Sequence, residues 1–154
     1  MDVNIVNSFI DALLNTLETS ASTRADRGKP FVMSNTVAPG PVTGILFVSG
    51  DTDAVVSITF SKPGILAIVS RLFGEPMEEL NDEIKDAVGE ISNMVSGQAT
   101  NTLAQTGGKY KISLDKVILG ERHTVPHKKV MKPVALPFRT EDGEFTLAFS
   151  VDKT

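Results

Sequence analysis

Three polar residues at helical spacing, Asp86, Glu90 and Asn93, form the strongest chemical pattern in this sequence, with Gly97 one turn further on. At about 100° per residue these four fall on one ridge, so Glu90 and Asn93 are neighbours and Asp86 lies one turn before Glu90. A carboxylate can only accept hydrogen bonds or pair with a cation, whereas a neutral amide both accepts and donates and can therefore hold a water. Ile84, Val88, Ile91, Val95, Ala99 and Thr102 occupy the opposite sector of the wheel and are expected to be the core face. Small residues flank the ridge, namely Gly89, Ser96, Gly97 and Thr100, which would let another protein approach closely. Two glycines inside a helix each cost about 1 kcal/mol relative to alanine, so they call for a reason beyond helix formation. Spacing alone favours an ordinary solvated helix face, since acidic and amide residues are common on exposed helices. The wheel excludes only that these polar residues belong to the core.

The other reactive residue types form weaker patterns. His123 and His127 are four apart, but Pro126 between them rules out helical spacing and no third ligand is evident, so no metal site is expected. Gly107-Gly108-Lys109 lacks the glycine spacing of a phosphate loop and would end a helix where such a loop opens one. Serine, histidine and aspartate are present without the Gly-x-Ser-x-Gly elbow. The chain has no cysteine, which excludes a thiolate nucleophile, a disulfide framework and a cysteine zinc site. Met77, Met94 and Met131 read as core or gap filling. A net charge of −4 argues against nucleic acid as the main partner. Arg122, Lys128, Lys129, Lys132 and Arg139 crowd near the C-terminus; they suit either solvated strand faces with edge protection or steering toward an acidic partner. The chain opens without a basic segment leading into an apolar run, and no stretch approaches the ~18–20 apolar residues of a membrane span. A cytoplasmic protein that does not enter the membrane is the expectation.

The elements that must position the ridge follow from periodicity. With 154 residues, 41% hydrophobic and 22% charged, the chain is expected to be one globular domain spanning residues 1–154. Val6, Phe9, Ile10, Leu13 and Leu17 predict a first helix from about Val3 to Thr23. Strands are expected over Phe31 to Thr36 and Thr43 to Val48, separated by Pro39-Gly40-Pro41. Val56, Ile58 and Phe60 alternate with Ser57 and Thr59, the pattern of a strand with one buried face. Pro63 suits the start of a short helix that ends at Gly74. The ridge helix itself runs from about Asp82 to Thr106, with Asn81 as its cap and Gly107-Gly108 as its stop. Three more strands are expected over Tyr110 to Leu119, Lys129 to Leu136 and Glu144 to Val151, the last two joined as a hairpin through Glu141-Asp142-Gly143. The class is α+β: a mainly antiparallel sheet covered on one face by long helices.

The stretch Asn81 to Gly97, NDEIKDAVGEISNMVSG, resembles the signature of the CheC/CheX/FliY phosphatases, in which an Asp or Ser is followed by three residues, a Glu, two residues and an Asn. Here those positions are Asp86, Glu90 and Asn93. The similarity extends through Leu72-Phe73-Gly74-Glu75-Pro76 and the strand ending Ile118-Leu119-Gly120. One copy of the motif is present, which is similar to the CheX branch. The chain departs from the family pattern at Ser113-Leu114-Asp115-Lys116, where the family has a proline in a Ser-Leu-Pro context. The resemblance implies a CheC-like fold, a homodimer formed through the sheets, and hydrolysis of the aspartyl phosphate on a CheY-like response regulator. It implies that Glu90 and Asn93 are catalytic, Glu90 pairing with the regulator's lysine and Asn93 positioning the water. Asp86 and Gly97 would be partner contacts. No cofactor of the chain's own is implied, and Mg²⁺ would be supplied by the regulator. A non-catalytic adaptor that docks a regulator or a flagellar-switch component through the same ridge is the alternative.

Overall fold

The computed structural model describes residues 3–128 and 132–151. Lys129 of the basic cluster, Met131 and the first residues of the strand expected over Lys129 to Leu136 lie outside the described residues. The elements run α1 (Val3–Ala21), β1 (Asp26–Arg27), β2 (Phe31–Val32), β3 (Val42–Gly50), β4 (Ala54–Phe60), α2 (Lys62–Phe73), α3 (Asp82–Gln105), β5 (Tyr110–Leu119), β6 (Val134–Arg139) and β7 (Glu144–Val151).

Among the described residues the strands form one sheet in the order β1-β6-β7-β4-β3-β5, with β2 also on β6 and every pairing antiparallel. One large core lies between the sheet and the three helices. Alternate residues of each central strand point into it: Val42, Leu46 and Val48 from β3, Ala54, Val56, Ile58 and Phe60 from β4, Phe145, Leu147, Phe149 and Val151 from β7. The register stacks them in rows, Val56 opposite Phe149 and Ile58 opposite Leu147. Phe138 and Phe145 stack at 4.9 Å, and Phe9 of α1 meets Phe149 edge-on at 6.0 Å. Burying such a set of apolar side chains, at about 1.5–3 kcal/mol each, is what holds the helices on this face.

The strand expected to have one buried face has two. All seven residues of β4 are buried, Ser57 and Thr59 included. Their hydroxyls are satisfied: Ser57 Oγ meets His127 Nε2 at 3.0 Å, and Thr59 Oγ1 meets Thr43 Oγ1 at 2.8 Å. Thr43 Oγ1 in turn meets His123 Nε2 at 2.6 Å. The segment carrying both histidines therefore covers the second face of the sheet, and a smaller apolar cluster of Ala38, Ile45, Val55 and Val125 fills beneath it. Alternation cannot distinguish a hydroxyl facing water from one facing a buried imidazole.

Two strand boundaries also differ from expectation. The strand expected over Phe31 to Thr36 is only the two residues of β2, because Asn35 Oδ1 accepts the Val37 N–H at 2.9 Å and closes a local turn. The strand expected to end at Leu136 continues through Pro137 to Arg139, since Phe138 belongs to the helix-facing aromatic row. Tyr110–Leu119 and Glu144–Val151 run as expected, and β6 and β7 pair as the hairpin.

Candidate functional site on the third helix

α3 begins where its sequence says it should. Asn81 caps it from extended backbone, its Oδ1 accepting the Ile84 N–H at 3.1 Å, and Asp82 and Glu83 complement the helix N-terminus. It stops at Gly107, whose φ of +85° lies in the left-handed region that glycine adopts at low cost. Ile84, Val88, Ile91, Val95 and Ala99 are buried as the wheel requires. Thr102 is not the end of that face: it is half-buried, its hydroxyl donating to the Gln98 carbonyl, and Leu103 completes the core row instead.

Three contacts fix the height and rotation of the helix. Gly44 of β3 admits Ser92 so closely that a side chain there would collide with Ser92 Oγ. Ser96 is buried, contrary to its expected place beside the ridge, and its hydroxyl donates to the Ile112 carbonyl of β5 at 3.1 Å. On the other side, Asn15 of α1 donates to Gln98 Oε1 at 2.8 Å, and Gln98 Nε2 donates to Thr16 Oγ1 at 3.0 Å.

So oriented, α3 exposes Asp86, Glu90, Asn93 and Gly97 together on its outer ridge. All four predicted residues share one face. Between this ridge and β5 runs an open groove of ≈ 680 Å³. Lys85, Asp86, Glu90 and Asn93 line its polar side, and Gly89, Met94, Leu114 and Val117 its apolar side. Met94 is therefore a half-exposed groove residue as well as a filler.

Lys85, Leu114 and Val117 were not singled out from the sequence, yet a signal for the last two exists. In Ile112-Ser113-Leu114-Asp115-Lys116-Val117 the alternation slips by one at two successive polar residues. The structure has a bulge there: Leu114 pairs with Leu46 and Lys116 with Ile45, leaving Asp115 opposite nothing. The slip keeps Leu114 and Val117, three apart, both on the helix side of β5. It also bears on the missing family proline. Within the Ser113-Leu114-Asp115-Lys116 departure, Asp115 is the extra residue of the bulge and Lys116 pairs with Ile45.

The two histidines serve the opposite face of the sheet. His123 donates from Nδ1 to the Gly120 carbonyl at 2.6 Å while Nε2 meets Thr43. His127 meets Ser150 Oγ through Nδ1 at 2.7 Å and Ser57 through Nε2. Burial pushes His127 down from its ordinary 6.5 to about 4. Hydrogen bonds thus occupy all four ring nitrogens. No helix among the described residues is long and apolar enough to cross a membrane.

Comparison with known proteins identifies the family. The family model described as chemotaxis phosphatase CheX matches residues 42–139, a span from β3 to the end of β6 that holds all of α3 and its groove. The CheY-P phosphatase CheX of Thermotoga maritima is 25% identical over 152 residues, covering 98% of this chain and 97% of that protein. The crystal structure of a chemotaxis protein CheX from Desulfovibrio desulfuricans is 35% identical with a TM-score of 0.86, covering 97% of this chain and 99% of that one. A chain of the CheX–CheY–BeF3–Mg²⁺ complex from Borrelia burgdorferi, 21% identical, shares the fold at a TM-score of 0.79, covering 97% and 99%.

Proposed function

The chain belongs to the family of the chemotaxis phosphatase CheX, and from that premise we propose that it hydrolyses the aspartyl phosphate of a CheY-like response regulator. The observation that carries the reading is the exposed pair Glu90 and Asn93, side by side on α3 and bordering an open groove.

An aspartyl phosphate is an acyl phosphate. Water attacks phosphorus in line, the bond from phosphorus to the carboxylate oxygen breaks, and inorganic phosphate and the free aspartate result. The regulator brings the phosphoryl group, a divalent cation and a lysine, so this chain has to supply position and charge. Asn93 accepts a hydrogen bond from the attacking water through its amide oxygen and aligns it with phosphorus, as a neutral amide can over the whole working pH range. Glu90 forms a charge-assisted pair with the regulator's lysine and fixes the two proteins in register. Asp86 contacts the partner at the rim, and the bare backbone at Gly97 lets the partner come close. The cation would arrive with the regulator, and the named complex of a CheX with a CheY, BeF3 and Mg²⁺ supports a CheY-like partner.

The alternative is a non-catalytic adaptor that docks a regulator or a flagellar-switch component through the same ridge; the departure from the family pattern at Ser113-Leu114-Asp115-Lys116 favours it, and the presence of both Glu90 and Asn93 favours the enzyme. A homodimer through the sheets is part of the proposal: β5 ends the sheet with a ten-residue strand, whereas the other edge has only the two-residue strands β1 and β2. Light scattering at defined concentration tests it.

Binding and rate separate the roles. With a beryllofluoride-activated regulator, Asn93→Ala should bind like the native protein yet lose about 10²-fold or more in turnover, whereas Glu90→Ala should lose both. A native protein that binds the regulator without shortening the lifetime of its phosphoryl group would turn the reading to the adaptor.

A further inference from the structure

We infer that the apolar side of the α3–β5 groove is a specificity pocket that receives one apolar side chain of the regulator, from the surface flanking its phosphoryl group. This rests on the reading of Glu90 and Asn93 as the reactive pair. Those two residues line the groove, so the body whose phosphoryl group they meet lies against its opening.

Gly89 is the first observation. A Cβ at Gly89 would lie 3.6 Å from Val117 Cγ2 and 3.8 Å from Leu114 Cδ2, ordinary packing distances. Nothing in the fold forbids a side chain there, and alanine would favour the helix. At Gly44, by contrast, the fold itself requires the glycine. What the bare position at Gly89 preserves is the open volume above Leu114 and Val117.

The bulge at Asp115 is the second and is independent of the first. A regular β5 would turn Val117 to the other face of the sheet and bring Lys116 onto the groove floor. The slip replaces that lysine with a valine, so the groove has an apolar floor beside a polar rim of Lys85, Asp86, Glu90 and Asn93. Leu114 and Val117 are only half-buried, which leaves apolar surface for a partner to cover. Their side chains offer no hydrogen-bonding group, so a charged or amide side chain seated on them would lose water and gain no partner from the floor itself. An apolar one gains by its own burial.

The test compares the native protein with Gly89→Ala and Gly89→Leu, using a beryllofluoride-activated CheY-like regulator for affinity and its phosphorylated form for KM and kcat. Gly89→Leu occupies the space above Leu114 and Val117 and should weaken Kd about tenfold or more, the size expected from losing one buried apolar side chain. Most of that loss should appear in KM. Gly89→Ala, a single methyl group in ordinary contact, should fall between the two and melt no lower than the native protein. Affinities for both variants within about twofold of native would overturn the inference. So would a change in self-association without a change in regulator affinity, which would make a second copy the occupant. Asn93→Ala run alongside separates the two levels: full turnover in that variant sinks the reactive-pair reading and this inference with it. Lost turnover with an unchanged Kd for Gly89→Leu sinks the pocket alone.

Discussion

Gly44→Ala probes how the site is held in place. Gly44 lies in the middle of β3 beneath α3, and an added methyl group would fall inside the van der Waals envelope of Ser92 Oγ, 3.3 Å from Ser92 Cβ and 3.5 Å from Val88 Cγ1. Ser92 is fully buried and its hydroxyl donates to the Val88 carbonyl at 2.7 Å, a bond that turning the hydroxyl away from the new methyl group would break, and its Cβ would still be crowded. The strain is relieved by lifting α3 from the sheet. Overpacking of this kind costs about 1–3 kcal/mol. For a domain of this size each kcal/mol corresponds to about 2–4 °C, so the melting temperature should fall by roughly 2–12 °C. Glu90 and Asn93 ride on the same helix, and turnover of the regulator should fall with it. Ser92→Ala removes the colliding oxygen and should be near neutral alone, the lost bond to the helix offset by alanine's helix propensity. Combined with Gly44→Ala it should restore most of the stability. Thermal denaturation of the four proteins by circular dichroism closes the double-mutant cycle. A melting temperature for Gly44→Ala within about 1 °C of native, or no recovery in the double variant, would refute the account of helix position.

Two further outcomes follow from other parts of the structure. His127 is held neutral by burial at about 4 against 6.5 in the unfolded chain, so the unfolded state takes up the proton first on acidification; its contribution is intact above about pH 6.5 and is lost as pH falls toward 4, worth about 3 kcal/mol at the end. Urea midpoints across that range should fall steeply for the native protein and less for His127→Gln; parallel curves would contradict the assignment. Gly97 has nothing within 4 Å of an added Cβ, so Gly97→Ala should raise stability by about 1 kcal/mol while weakening regulator affinity. An unchanged affinity would remove Gly97 from the proposed interface.

Much of the site was legible because helical spacing fixes angle. Asp86, Glu90, Asn93 and Gly97 share an exposed ridge for the same geometric reason that Ile84, Val88 and Ile91 share a buried one. Asn81 and Gly107 marked the ends of α3 through local backbone chemistry that needs no tertiary information. What lay outside reach depended on partners distant in sequence. Ser96 looks like a small surface residue until the Ile112 carbonyl is beside it. Ser57 and Thr59 read as solvent-facing because the segment that covers them arrives more than sixty residues later, bringing His123 and His127. The groove is harder still, since it belongs to no single element: it exists where Gly89 of α3 faces the slipped register of β5.

The most direct measurement is the decay of a radiolabelled phosphoryl group on CheY-like regulators with Mg²⁺ present, alone, with the native protein, and with Asn93→Ala. The account predicts faster decay with the native protein on at least one regulator and the unassisted rate with Asn93→Ala. Native protein that leaves every decay unchanged, or an Asn93→Ala variant that accelerates decay as fully as native, would contradict it.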